Sequence, residues 1–121
     1  MKRNPQQEAK TMKRNPQQVR QGDVLLVPVT LIPPEAQPVP REAGSTVLAH
    51  GEVTGHSHVI NHKAAKLFAI PGTVEPRRFL RAGRDVVLRH EEHRPIRIAR
   101  GEYEVIIQRE YDGGETRQVV D

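Results

Sequence analysis

Residues 46–62 read TVLAHGEVTGHSHVINH, and this stretch is the clearest indication of the fold class. Residues 46–50 and 56–61 are short runs rich in β-branched and other apolar side chains, which is typical of β-strands. The five residues between them, 51–55, begin and end with glycine and have the length of a hairpin connection. The stretch therefore predicts two adjacent strands joined by a short loop.

Short strand-like segments continue on both sides of this hairpin. Turn residues interrupt the chain about every 8–12 residues, which is the spacing found in sandwiches and small barrels. Four prolines lie between residues 31 and 40, so that region is predicted to be an extended loop without helix. The best helical candidate, residues 62–69, is short and ambiguous. The further predicted strands are residues 23–29, 66–70, 77–81, 85–89, 95–99 and 103–111.

These patterns predict a mainly β chain built as a single small barrel or sandwich, of which a jelly roll is one form, with about seven or eight short strands. A chain of 121 residues has room for one domain and one modest core, and residues 19–111 are assigned to it. Aromatic residues make up 3% of the chain, and tryptophan is absent. The core must therefore consist mainly of valine, isoleucine and leucine.

The two ends of the chain are expected to lie outside this domain. Residues 1–18 contain MKRNPQQ twice and carry five basic side chains against one acidic side chain. They lack apolar spacing, which predicts a disordered basic leader. We expect Met12 to be the natural start and the first copy to be an added duplication. Residues 112–121 open with Asp-Gly-Gly and are predicted to form a flexible tail.

Composition excludes several classes of protein. Cysteine is absent, which removes disulfides, thiolate metal ligands and cysteine nucleophiles together. No apolar run approaches the roughly 18 residues needed to cross a bilayer, and no apolar signal-peptide core follows the basic N-terminus. The expected location is cytoplasmic, with no membrane partner.

Four of the six histidines lie within thirteen residues, and they are the most informative feature for function. If residues 56–61 form a strand, alternation places His56 and His58 on one face. His50 would end the partner strand beside His56 and supply a third ligand, and Glu52 in the loop could add a carboxylate. His90 extends the apolar face of Val86 and Leu88 and could project into the same site.

This set, comprising His56, His58, His50 and His90, predicts a divalent transition-metal site. Without cysteine the ligands must be nitrogen and oxygen, which favours zinc or iron. Three such ligands leave a coordination position open, as catalysis requires, but a metal could equally stabilise a thin core. Both a structural and a catalytic role stay open, as does the alternative that these are ordinary surface histidines.

The segment Gly51 to His58, with its His56-Ser57-His58 strand, resembles the metal motif of the cupins. These small double-stranded β-helix proteins bind metal through two histidines of an HxH strand, a following carboxylate and a later histidine. The resemblance covers some ten residues and implies a jelly roll with a metal centre. The chain departs from the motif because no glutamate stands at Asn61 or His62, and residues 95–103 lack the second motif.

The alternative function is an accessory module that binds nucleic acid or protein through an arginine-rich β surface. Residues 77–100 contain eight arginines, and a basic strip of this kind can follow a phosphate backbone. The predicted contacts are Arg77, Arg78, Arg81 and Arg84, and the histidines would then be incidental. Exposed strand edges also make a homo-oligomer plausible.

Overall fold

The computed structural model describes residues 16–50, 56–72, 74–112 and 115–118. Every regular element in these ranges is a β-strand, and the ranges contain no helix long and apolar enough to cross a membrane. The strands are β1 (Val19–Gln21), β2 (Val24–Pro28), β3 (Gln37–Val39), β4 (Thr46–His50), β5 (Ser57–Ile60), β6 (Ala65–Ala69), β7 (Arg78–Ala82), β8 (Val86–Leu88), β9 (Ile96–Ile98), β10 (Gly101–Ile107), β11 (Arg109–Asp112) and β12 (Glu115–Gln118).

Six of these strands form one antiparallel sheet in the order β1-β2-β10-β7-β6-β3. Its register places large aliphatic side chains opposite one another, with Leu26 facing Val105 and Leu67 facing Leu80. Alternation along the strands directs these residues to one face of the sheet, where they are buried. The longest strand, β10, lies in the interior of the sheet and pairs with both β2 and β7.

Two ribbons, β4–β5 and β8–β9, supply the other half of the core. Their buried residues, including Leu48, Ile60, Leu88 and Ile98, join the buried face of the sheet in a single apolar cluster. A pair of backbone hydrogen bonds between Val59 and Arg89 links the two ribbons. The ribbons therefore lie side by side, and β5 and β8 bring their ends to the same region.

The prediction of a mainly β chain is confirmed. Each predicted strand overlaps an observed one. The helical candidate at residues 62–69 contains strand β6, which pairs with β7 and places Leu67 in the core. No closed barrel is found among the described strands. The proline-rich region contains the short edge strand β3, where Pro38 is tolerated because β3 has only one neighbour.

The predicted loop 51–55, including Glu52, lies outside the described residues, as do residues 1–15 of the leader. Val19–Gln21, whose first residue opens the predicted domain, forms the edge strand β1. In the segment expected to be a flexible tail, β12 pairs with β11, with Asp112 opposite Glu115.

Candidate functional site

A histidine and an aspartate are completely buried side by side at the junction of the sheet and the ribbons. His58 lies in β5, and Asp23 lies in the turn between β1 and β2. His58 Nε2 is 3.2 Å from Asp23 Oδ1, and both side chains are fully excluded from solvent. Burying two ionisable groups is costly unless each is compensated. Packing of the apolar core does not account for this buried pair, so the pair marks a candidate functional site.

Gln21 holds the other side of the His58 ring. Its side-chain amide is buried, and Nε2 donates hydrogen bonds to the backbone oxygens of Leu88 (3.0 Å) and Arg94 (2.9 Å). Because both partners of Nε2 are carbonyls, the orientation of the amide is determined, and Oε1 faces His58 Nδ1 at 2.8 Å. An amide oxygen accepts only, so His58 Nδ1 must donate.

The direction of this hydrogen bond decides what lies between His58 and Asp23. A neutral imidazole with its proton on Nδ1 has a lone pair on Nε2. That lone pair would face a carboxylate oxygen at 3.2 Å, which is unfavourable unless something positive lies between the two atoms. A proton there would join the two groups by a hydrogen bond, as imidazolium with carboxylate or as neutral imidazole with carboxylic acid, and a metal ion would make both groups ligands.

Two further imidazoles adjoin His58, and both come from the segment between β8 and β9. The ring centroids of His58 and His90 are 4.3 Å apart, those of His90 and His93 are 4.6 Å apart, and those of His58 and His93 are 5.9 Å apart. His93 Nε2 is buried and has no hydrogen-bond partner among the described residues. His90 Nδ1 accepts a hydrogen bond from the backbone N–H of Glu92 (3.0 Å).

His56 lies at the rim of this group, which we call the histidine cluster: His56, His58, His90 and His93. Its ring centroid is 5.7 Å from that of His90 in an edge-on arrangement. The ring is partly exposed, and its nitrogens lie 3.7 Å from a carboxylate oxygen of Glu91 and 3.5 Å from one of Glu92. His56 is thus bordered by two acidic side chains at the opening of the cluster.

Three of the four histidines predicted as metal ligands, His56, His58 and His90, are brought together, and His50 is not. The exposed ring of His50 pairs with Glu42 at 3.0 Å. His50 is opposite Ser57 in the β4–β5 register, and a register shift between Val47 and Ala49 precedes that pair. Within the described residues, no three histidine, aspartate or glutamate side chains are arranged as a ready coordination group.

Sequence reasoning missed Asp23 and Gln21 and left His93 out of the ligand set. Gln21 was assigned to the turn that introduces a strand, where polar residues are common, and Asp23 was predicted to be the first residue of that strand. Gln21, Asp23 and Val24 are all buried around the β1–β2 turn. No periodic pattern in the sequence indicates this burial. For His93 a signal existed, since a turn over residues 90–93 places positions i and i+3 together.

The arginines of the alternative hypothesis occupy different environments. Arg77 makes two hydrogen bonds to the carboxylate of Glu104, and this contact raises the pKa of its guanidinium. Arg81 is bound to Glu102 at 2.9 Å.

Of the other two, Arg78 is partly buried, and burial lowers the pKa of its guanidinium. Of these four predicted contacts, Arg84, in the connection between β7 and β8, is the one that is exposed and has no ion pair among the described residues.

Comparison with known proteins identifies a family for this chain. Residues 20–108 match the family described as a domain of unknown function, DUF8820. The chain belongs to this family. The DUF8820 domain contains all of the buried pair, Gln21 and the histidine cluster, so the whole candidate site lies within the matched region. No curated protein and no solved structure matches the chain significantly.

Proposed function

We propose that this DUF8820 domain binds one transition-metal ion through Asp23, His58 and His93, with His90 beside them as a fourth candidate ligand. The observation that supports this most strongly is the separation of 3.2 Å between His58 Nε2 and Asp23 Oδ1 in a fully buried site. Nitrogen and oxygen ligands lie about 2.0–2.2 Å from zinc, so two of them at a tetrahedral angle are about 3.3 Å apart. The buried pair has the spacing of two atoms that share an ion.

The neighbouring rings support the same centre. Two imidazoles bound to one tetrahedral ion have ring centres about 5 Å apart, given the usual metal–nitrogen distance. The three centroid distances within His58, His90 and His93 range from 4.3 to 5.9 Å. Binding of the ion requires these rings to rotate, because the described side chains are not arranged as a ready coordination group. His93 is the stronger third ligand, because its buried Nε2 has no hydrogen bond to give up.

Gln21 supplies the support that metal-binding histidines usually have. A ligand histidine commonly donates its second ring N–H to a fixed acceptor, which sets the tautomer and the orientation of the ring. Gln21 Oε1 accepts from His58 Nδ1 and leaves Nε2 for the ion. Gln21 also binds the carbonyls of Leu88 and Arg94 on both sides of His90 and His93, so it positions the loop that carries them.

The ligand set favours iron or zinc. Two histidines and one carboxylate form the set used by non-haem iron(II) sites and by some catalytic zinc sites, and both keep positions open. A groove of about 410 Å³ adjoins the cluster and is lined in part by Ser57, His90 and Glu91. A small substrate would therefore have space beside the ion. The same ion would also connect the β1–β2 turn to β5 and the β8–β9 loop. We propose that the six-stranded sheet and the two ribbons form the two layers of a small sandwich.

The test is metal analysis of tag-free protein with matched variants. The wild type should bind about one zinc or iron(II) ion per chain, and chelator should lower its melting temperature. Asp23→Asn and His93→Ala should each weaken binding by at least about tenfold. His50→Ala is the control, because His50 belongs to the same histidine-rich segment but lies outside the cluster, and it should bind metal normally.

Two outcomes of these measurements would contradict the proposal. If titration with zinc and with iron(II) gives no stoichiometric binding, or if His50→Ala weakens binding as much as His93→Ala, the centre does not exist. A proton then lies between His58 and Asp23, and the two side chains form a buried hydrogen-bonded pair within the core. Melting that is insensitive to chelator would agree with that result.

A further inference from the structure

A second groove lies on the outer surface of the ribbons. It contains no residue of the histidine cluster, but it shares Arg89 with the groove beside that cluster. It has a volume of about 400 Å³ and is lined by Asn61, His62, Arg84, Asp85, Val86, Val87 and Arg89. Volumes of this order are typical of sites for small molecules. We call it the Arg84–Arg89 groove.

Its two arginines differ from Arg41, Arg77 and Arg81, whose side chains all have partners within the chain. Elsewhere in the chain Arg41 donates to five oxygen atoms around the ends of β4, β5 and β6, and Arg77 and Arg81 each bind a carboxylate. Arg84 and Arg89 are exposed, and among the described residues neither makes a side-chain hydrogen bond or an ion pair. Two guanidinium groups thus line one groove with all their donors available.

The neighbouring polar groups add donors. His62 Nδ1 accepts a hydrogen bond from the Ala64 N–H at 2.9 Å, so the neutral ring carries its proton on Nε2. Asn61 Oδ1 accepts from the Ser45 hydroxyl at 2.7 Å, which leaves the Asn61 side-chain nitrogen as a donor. The groove therefore presents two cations and two neutral N–H donors, which is the chemistry that binds oxyanions.

Asp85 narrows the class of ligand. One of its carboxylate oxygens accepts the backbone N–H of Arg100 at 2.9 Å, and the carboxylate adds a negative charge to the lining. That charge opposes a continuous phosphodiester backbone, but it can accept a hydrogen bond from a hydroxyl group. Val86 and Val87 form a short apolar part of the lining. No phenylalanine, tyrosine or tryptophan lines the groove, and its one aromatic ring is the imidazole of His62.

We infer that the Arg84–Arg89 groove binds a small phosphomonoester that also carries a hydroxyl group. The two guanidinium groups hold the phosphate, His62 and Asn61 donate to its remaining oxygens, and Asp85 accepts from the hydroxyl. This inference does not depend on the metal centre, since none of the proposed metal ligands lines the groove.

The experiment follows the backbone amide resonances of the full chain during titration with glycerol 3-phosphate, with glycerol as the uncharged control. Shifts should concentrate at residues 61–62 and 84–89, with a dissociation constant of about 1 mM or below. Arg84→Gln and Arg89→Gln should each weaken binding by roughly tenfold, which is the expected loss of one bidentate contact. Lys66→Gln removes the same charge from the exposed part of β6 and should leave binding unchanged.

Two further arms separate the alternatives. His93→Ala removes a proposed metal ligand, so retained binding supports the groove, whereas lost binding places the phosphate on the metal and overturns the inference. A single-stranded oligodeoxynucleotide whose affinity exceeds that of glycerol 3-phosphate and grows with length would also overturn it, in favour of nucleic acid. Equal weakening by Lys66→Gln, or an absence of shifts up to about 10 mM ligand, would have the same consequence.

Discussion

Replacing Gln21 with leucine should destabilise the protein far more than its position in a three-residue edge strand suggests. The side chain is 2% exposed and makes three hydrogen bonds, to Leu88 O, Arg94 O and His58 Nδ1. Leucine fills a similar volume but leaves two carbonyls and one ring N–H without their partner. Each buried polar group left unpaired costs about 1 kcal/mol or more, so the expected loss is about 2–4 kcal/mol.

The assay is urea denaturation with linear extrapolation, comparing Gln21→Leu with Gln108→Leu. Gln108 is the matched control because it is partly buried and its side chain makes one hydrogen bond, accepted from the exposed Arg20. Its replacement should cost less than about 1 kcal/mol. A loss of about 3 kcal/mol at Gln21 should lower the melting temperature by about 10 °C or more in a domain of this size.

Metal affinity gives a second measurement on the same variant. Without Gln21 Oε1 the Nδ1 tautomer of His58 is no longer favoured, and the 88–94 segment loses its two anchors. Loss of such a supporting contact typically weakens metal binding by about 10–100-fold. The reasoning would be refuted if the unfolding free energies of Gln21→Leu and Gln108→Leu agreed within about 0.5 kcal/mol.

Two other predictions concern the fold. Burial raises the pKa of Tyr103 to about 12. Its phenol should therefore stay protonated in the folded protein at pH values where the unfolded chain ionises. The free energy of unfolding, measured from urea midpoints, should fall as the pH rises from about 10 to 12. Tyr103→Phe should remove that dependence and cost about 1 kcal/mol, because the hydroxyl donates to the backbone oxygen of Ala99. Gly101→Ala should cost about 1–3 kcal/mol in thermal melts, since its φ is +154° and a Cβ there would lie 2.6 Å from Pro16 Cγ. Gly44→Ala, also at positive φ but with nothing within 4 Å of the new atom, should cost about 1 kcal/mol; equal losses would show that Pro16 plays no part.

Much of the fold could be predicted because its strands carry local signals. β5 and β8 combine β-branched residues with flanking turns, and the prediction of β4 coincides with the observed bounds. The edge strands β1 and β3 were missed for a physical reason. They are three residues long and are stabilised by pairing with β2 and β6, which is a tertiary interaction with no periodic pattern of its own.

The candidate site was predictable only in part. The HxH pattern places His56 and His58 in one strand, and the parity of Leu88 and His90 was visible in the sequence. Asp23 could not be connected to them, because nothing local indicates that a turn residue will be buried against a strand 35 positions later. His50 was predicted to lie beside His56. A register shift between Val47 and Ala49 places it opposite Ser57 instead.

The distance along the chain between the site residues has a measurable consequence. Asp23, His58 and His93 belong to three segments that approach one another only when the β1–β2 turn, β5 and the β8–β9 loop are in place. An ion that needs all three should therefore bind the native state and have little affinity for the unfolded chain. At a free metal concentration of about 100 times the dissociation constant, such binding adds about 2.7 kcal/mol to stability. The urea midpoint of the wild type should rise accordingly with added zinc or iron(II), whereas that of His93→Ala should rise much less. Equal shifts in both proteins would show that the ion binds elsewhere, since His93 is the proposed ligand that connects the β8–β9 loop to the buried pair.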